Sequence, residues 1–423
     1  MTKILTAHFD NPKLHELATY RSLGGYAGLA KALDTAPKTL IDEVKKSNLR
    51  GLGGAGFPAG MKWETVPSEE KNPGPRYVVV NFDESEPGCF KDRVLVERNP
   101  HQLIEGLLIA SYVIGAANSF IFVRGEYQNQ HDVLARALAE AEAAGLVGAN
   151  ILGKGFACKI QLMRGAGAYI SGLDTALLET MEGKKAWPRQ PPPFPTMAGL
   201  MGRPTVVNNV VTLSMVPFIA LHGGEAFAKI GTPKNGGTFL FSISGHVAKP
   251  GVYEVPMGTK LRDVIALAGG VPGGKKLKAV IPGGTSMPPL LEKDLDLALD
   301  FDSVRAAGTF LGAGGMIVMD ETVDACDVVH NVERFLTHES CGQCTPCREG
   351  SYWSTRIMER ILAGEGKPAD LDNLKRMGEN IMGKVICALG DTVGFVSTGW
   401  MKRFPEDFEK RVASAAKPVN PHG

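Results

Sequence analysis

"RYVVVNFDESEPG" occupies residues 76–88: a run of β-forming residues that gives way at Asp83 to an acidic turn ending in proline and glycine. A short apolar run bounded by turn residues reads as a strand buried on both faces. Outward from it the pattern alternates. "PHQLIEGLLIASYVIGA" (100–116) reads as a helix, "SFIFVRG" (119–125) as a strand, "QNQHDVLARALAEAEAAG" (128–145) as a helix, "CKIQLMRG" (158–165) as a strand and "SGLDTALLETMEG" (171–183) as a helix. Strands separated by helices predict βαβ units, hence an α/β fold with a mainly parallel sheet covered on both faces. Ligands of such sheets gather beyond the carboxyl ends of the strands. Those ends carry "DESEPG" (83–88), "RGEYQ" (124–128) and "RGAGAYISG" (164–172).

Composition narrows the class. The 423 residues carry 46 Lys plus Arg against 45 Asp plus Glu, a balance that favours neither nucleic acid nor an anionic membrane surface. Seven cysteines, and a start without a basic segment followed by an apolar core, predict a reducing, intracellular setting rather than a disulfide framework. The uncharged run 106–123 reaches the lower edge of membrane-spanning length, but its Gly115, Asn118 and Ser119 and its switch to "SFIFV" predict a buried helix followed by a buried strand.

The proline cluster "WPRQPPPFPTMAG" (187–199) predicts a stiff surface connector. Beyond residue 236 short strands alternate with turn pairs: "TFLFSISG", "KPGVYEV", "KLKAVIPGG" and "GGMIVMD", with one helical stretch, "KLRDVIALAGG". That texture predicts a small α+β domain to about residue 320. From Glu321 onward helical periodicity dominates, in "VDACDVVHNVERFLTHES", "CREGSYWSTRIMERILAGEG", "ADLDNLKRMGENIMGKVICALGD" and "EDFEKRVASAA".

Three of the seven cysteines crowd into "SCGQCTPCREG" (340–350), at Cys341, Cys344 and Cys347. A helix starting at Cys347, a turn at "AGEGKPAD" and a returning helix ending at Cys387 predict a hairpin that brings a fourth thiol beside the third. Three thiolates at this spacing plus a remote fourth make the ligand set of a cubane [4Fe-4S] cluster. Structural zinc is the rival, though it draws its ligands from two separated pairs; unpaired structural thiols rank third. Cys89, Cys158 and Cys326 read as small buried residues.

"RGLGGAGFPAGMKW" (50–63) holds Gly51, Gly53 and Gly56 in G-x-G-x-x-G spacing, but the preceding "TLIDEVKKSNLR" is helical and Phe57-Pro58 disfavours a helix. The loop is neither a dinucleotide fingerprint nor a Walker loop. Its glycines beside Phe57, Lys62 and Trp63 suit backbone approach to a phosphate and a flat ring.

Together the glycine loop, "NFDESEPGCFKDR", "RGAGAYISG", "PPFPTMAGLMGRPTVVNN", "LGAGGMIVMDE", "SCGQCTPCREG" and "ICALGD" resemble the flavoprotein component of the NADH-binding module of respiratory complex I, known as its 51 kDa or F subunit. The diaphorase subunits of NAD-reducing hydrogenases and formate dehydrogenases belong to the same family. The resemblance implies an N-terminal segment (1–70), a Rossmann-like domain for FMN and NADH (71–232), a ubiquitin-like SLBB domain (233–320) and a helical bundle with a [4Fe-4S] cluster (321–423). It implies FMN held by Gly51, Gly53, Gly54, Lys62, Asn81, Asp83, Glu84, Tyr169, Gly172, Val207, Asn208 and Asn209. NADH would lie over the flavin against Phe57 and Phe194, with Glu86 and Asp174 on the ribose side, and Cys341, Cys344, Cys347 and Cys387 would hold the cluster.

The chemistry implied is NADH dehydrogenase activity: hydride transfer from NADH to FMN, then single electrons to the cluster. The implied partners are a thioredoxin-like [2Fe-2S] subunit and a larger multi-cluster iron-sulfur subunit. The implied location is cytoplasmic, on the inner membrane's cytoplasmic side through the assembly alone.

Five positions depart from the family pattern: Leu52 for arginine, Leu173-Asp174 for an acidic pair, Thr65 for an aromatic and Val211 for glutamate. Two further readings stand beside the complex I one: the same chemistry as the diaphorase of a soluble hydrogenase or formate dehydrogenase, and, motivated by Leu52, Thr65 and Leu173, an FMN and iron-sulfur carrier whose NADH binding is altered or lost.

Overall fold

A computed structural model describes residues 2–415 of the chain. The strand that opened the sequence reading is β1 (Tyr77–Phe82), and β2 (Asn118–Val123), β3 (Lys159–Arg164) and β4 (Thr205–Asn209) join it in one sheet. Every pairing is parallel and the order is β3-β2-β1-β4. From β1 the chain therefore winds outward through β2 to β3, then crosses back to place β4 on the other side of β1. The crevice beyond the carboxyl ends of β1 and β4 is the point where the winding reverses, which is where open α/β sheets bind their ligands.

The 106–123 run resolves as expected. Its first part belongs to the helix Pro100–Ile114, buried at every residue except Tyr112. Proline opens that helix, where its missing N–H costs nothing, and Gly115 closes it at φ 76°, a left-handed value that suits glycine. The N-terminal segment covers it: Glu105 accepts from the Tyr20 hydroxyl at 2.5 Å and from the Tyr26 and Leu29 amides at 2.9 and 3.0 Å. No helix among the described residues is long and apolar enough to cross a membrane.

The second sheet contains β5 (Thr238–Gly245), β6 (Gly251–Pro256), β7 (Leu277–Ile281) and β8 (Gly315–Asp320), in the order β6-β5-β8-β7. β5 and β8 run parallel, and the outer strands pair antiparallel to them. The helix Leu261–Leu267 follows β6. A long-range clasp holds the N-terminal segment to this unit, because the buried Glu254 of β6 accepts from the amides of Ile4, Leu5 and Thr6 at 2.7–3.1 Å.

The rest is helical: Ala325–Glu339, Thr345–Leu362, Pro368–Ile381, Ala388–Arg403 and Pro405–Ala415. One expectation is corrected here. The returning helix stops at Ile381, with Gly383 at φ 73° after it, and Cys387 is the N-cap of the next helix, Ala388–Arg403. The fourth thiol is delivered by the start of a third helix rather than by the end of the second. The glycine loop also differs from expectation: Phe57-Pro58 does not block a helix, since Pro58 caps the short helix Ala59–Glu64.

Candidate functional site

The glycine loop runs from the helix Pro37–Lys46 to the helix Ala59–Glu64 and lies over the reversal crevice. It closes on itself: the Gly51 amide donates to the Phe57 carbonyl at 2.8 Å and the Gly56 amide to the Gly51 carbonyl at 3.2 Å. A methyl group at Gly53 would stand 2.8 Å from Asn209 Cβ, so the loop packs on the end of β4 with no room for a side chain. Gly54, at φ 133°, meets nothing closer than 4.0 Å on its open side. Among the described residues the Gly53 and Gly54 amides have no recorded acceptor. A tight loop presenting free amides is a cradle for an anionic oxygen.

Lys62 projects from the Ala59–Glu64 helix across the crevice, donating to the Val207 carbonyl at 3.0 Å, with Asp174 at 4.0 Å. Burial lowers its pKa and Asp174 partly restores it, so the ammonium lacks a close counter-ion. On the β1 side the Asn81 amide group donates to the Gly172 carbonyl at 2.6 Å and its oxygen accepts from the Asp83 amide at 3.1 Å. Burial pushes the Asp83 carboxyl up to about 7, opposed by a hydrogen bond from Ser85 and by Arg124. Phe57 of the loop and Phe194 of the proline connector stand 49% and 59% exposed.

Other expected site residues stand nearby with their side chains already engaged. Glu84 faces away, accepting from the amides of Asp92 and Arg93 at 2.8 and 3.1 Å; burial and then the Asp92 charge raise its pKa. Asn208 is buried and accepts from Trp63 Nε1 at 2.9 Å. Asn209 donates to Asp92 at 2.5 Å and caps the helix Val210–Ser214 through the Val211 amide at 2.9 Å. Glu86 accepts from the Tyr169 hydroxyl at 2.6 Å and from the Ser286 amide and hydroxyl at 2.9 and 3.0 Å, which joins the first sheet's loop to the second unit.

Three of the departures from the family pattern gain physical content. Leu52 is buried, its amide bonded to the Thr212 hydroxyl at 2.8 Å; Val211 is buried; and the Thr65 hydroxyl bonds Thr196 of the proline connector at 2.9 Å. Sequence reasoning missed the connector's other tie, from Trp187 Nε1 to the Cys341 carbonyl at 3.1 Å.

Cys341, Cys344, Cys347 and Cys387 line one small cavity with Ile170, Pro188 and other neighbours. The Ser340 hydroxyl lies 3.3 Å from Cys347 Sγ, and the Ile386 amide donates to Cys344 Sγ at 3.4 Å. Burial pushes Cys387 up to about 11 and also raises Cys347. Bonding to iron would replace the proton on each. Four thiols lining one cavity match in number and kind the ligand set of a [4Fe-4S] group.

Comparison with known proteins agrees with this geometry. The family model of the Nuo51 FMN-binding domain matches residues 44–218, that of the SLBB domain residues 240–290, and that of the NADH-ubiquinone oxidoreductase-F iron-sulfur binding region residues 327–411. The F 2 subunit of the Rhizobium meliloti (strain 1021) NADH-quinone oxidoreductase is 46% identical over 99% of both chains. The chain belongs to the family of NADH-quinone oxidoreductase F subunits. The F subunit of the Rickettsia bellii (strain OSU 85-389) enzyme is 49% identical over 94% of this chain and 96% of its own. A solved NAD+-reducing [NiFe]-hydrogenase in the H2-reduced state superposes with a TM-score of 0.84 at 33% identity, covering 99% of this chain and 68% of that one. The family thus supplies the setting for both sites: an FMN-binding region around the glycine loop and a [4Fe-4S]-binding region around the four cysteines.

Proposed function

We propose that this chain is the NADH-oxidising flavoprotein subunit of a respiratory NADH-quinone oxidoreductase. The observation that carries the reading is the pairing, in one chain, of a glycine-cradled crevice at the sheet's reversal point with a cavity ringed by four thiols. Bound there, FMN would exchange the two electrons of a hydride for the single electrons that an iron-sulfur cluster accepts. The chain's own residues bind and orient. The Gly53 and Gly54 amides and Lys62 would neutralise a phosphate, Asn81 and Gly172 hold the β1 end of the crevice in shape, and Phe57 and Phe194 offer flat apolar faces to a nicotinamide dinucleotide. Asp174 beside Lys62 would repel a 2′-phosphate and so prefer NADH over NADPH.

Electrons reaching the cysteine cavity need an outlet, for which we propose a thioredoxin-like [2Fe-2S] subunit and a larger multi-cluster subunit, with attachment to the cytoplasmic face of the inner membrane through them. Anaerobic titration of the flavin absorbance with NADH, then NADPH, tests the dehydrogenase. Bleaching by NADH is expected, and no bleaching by either would leave only the carrier reading that Leu52, Thr65 and Leu173 motivate. Iron and sulfide analysis of Cys387→Ala tests the cysteine set, with loss or damage of the cluster expected and full retention refuting it. The structural likeness to the NAD+-reducing hydrogenase favours a second reading, a diaphorase subunit, and identification of co-purifying subunits separates the two.

A further inference from the structure

The helices that carry the four thiols enclose a group that takes no part in holding them. Glu333 sits on the inward face of Ala325–Glu339, fully buried, and neither of its carboxylate oxygens has a hydrogen-bond partner. A bare charge in such a place is costly: burial alone raises its pKa well above the carboxylate range, so the carboxylate forms only at a pH above that raised value.

The surroundings are polar but uncharged. Three helices pack on this one: Thr345–Leu362, Ala388–Arg403 and Pro405–Ala415. Among the buried residues of the first two, Cys347 is the one titratable group, and Ser351 Oγ, Ser354 Oγ and Trp400 Nε1 are buried without partners. On the same helix as Glu333, His330 is pushed below its usual range by burial, with Nε2 also unpartnered. On the third helix Asp407 pairs with Lys278 at 2.5 Å and Arg411 with Asp324 at 3.0 Å, while Glu406, Glu409 and Lys410 are exposed. The helix Ala325–Glu339 leads into Ser340, whose hydroxyl touches the Cys347 sulfur at 3.3 Å. Glu333 stands seven residues before Ser340, about 10 Å along the axis at about 1.5 Å per residue.

We propose that Glu333 is a proton-binding group coupled to the iron-sulfur cluster, gaining a proton when the cluster gains an electron. The inference rests on the cluster lying among the four thiols. At a pH above the oxidised-state pKa, one electron supplied by NADH oxidation enters the cluster and one proton from solvent converts the Glu333 carboxylate to the neutral acid; reoxidation releases both. Negative charge added to the cluster through this dry bundle favours the neutral acid, so the acid's pKa is higher in the reduced state than in the oxidised state. Between those two values the cluster's midpoint potential falls as pH rises, and outside them it is level.

The test is a redox titration of the purified holoprotein followed by the cluster's electron paramagnetic resonance, repeated from about pH 6 to about pH 10. Glu333→Gln keeps the shape, and Glu333→Leu serves as a second variant should the amide loosen the bundle. The native midpoint is expected to step down once with rising pH, and both variants to stay level. Reduced-minus-oxidised infrared spectra of the native protein should gain the carbonyl band of a protonated acid that the variants lack. A level native midpoint, or an unchanged step in both variants, overturns the proposal while leaving the cluster site standing. Absence of any cluster signal in the native protein overturns the thiol assignment, and this inference with it.

Discussion

Asp83 shows how much the crevice's chemistry depends on single side chains. Its carboxyl is held at about 7 by burial, against 3.8 in the unfolded chain. A raised folded pKa favours the folded state fully at pH values below 3.8 and loses that advantage as pH climbs through 7. Asp83→Asn, which cannot ionise, should therefore melt increasingly above the native protein between about pH 4 and about pH 7, by no more than about 4 kcal/mol. Thermal melts of the cofactor-free chain across that range check it; parallel curves would refute it. This residue scale is also where the sequence was least explicit. The glycines, Phe57 and Lys62 can be singled out in the sequence because they fall in one loop. The engagements of Glu84, Glu86, Asn208 and Asn209 cannot, because their partners come from elements folded against them, up to 200 residues away.

At the scale of elements, alternation between strand and helix was readable because a two-residue and a 3.6-residue period differ over any short window. The helix Ala388–Arg403 was not. It contains Gly390, Gly394 and Gly399, which lower helix propensity. Packing demands at least one of them: a methyl at Gly394 would stand 2.6 Å from Met382 Cγ and 2.7 Å from the Gly378 carbonyl, so two helices touch backbone to backbone. Without a helix signal across those glycines, the periodicity places Cys387 at the end of the preceding helix. Gly394→Val should force the pair apart, lower stability by about 2–3 kcal/mol, and reduce bound iron, because Cys387 starts the displaced helix. Melting and iron content measure both, and normal iron in a destabilised variant would separate the packing from the site.

Across the whole molecule the two sheets are linked by few but buried polar ties, and Glu86 is the one nearest the crevice. Glu86→Ala leaves the Ser286 amide without its acceptor and the Tyr169 hydroxyl with only the Ser286 hydroxyl at 3.2 Å, a loss of about 1–3 kcal/mol. Hydrogen exchange should quicken around residues 169 and 285–286 while the first sheet stays protected; uniform acceleration would show that Glu86 supports the fold rather than the junction. That a second α+β unit and a helical region follow the first sheet was plain from the changing texture of the sequence. How the units clasp was hidden, since Glu86, Glu254 and Glu105 each act on residues distant along the chain.

The proline connector is fastened at several places, by Thr196 to Thr65 beside Lys62, by Arg189 to Glu179 and Glu182, and by Trp187 to the Cys341 carbonyl. Between them it carries the exposed Phe194 and, against the cysteine cavity, Pro188. One strap of chain thus borders both the Lys62 neighbourhood and the sulfurs, and Arg189 pins it midway.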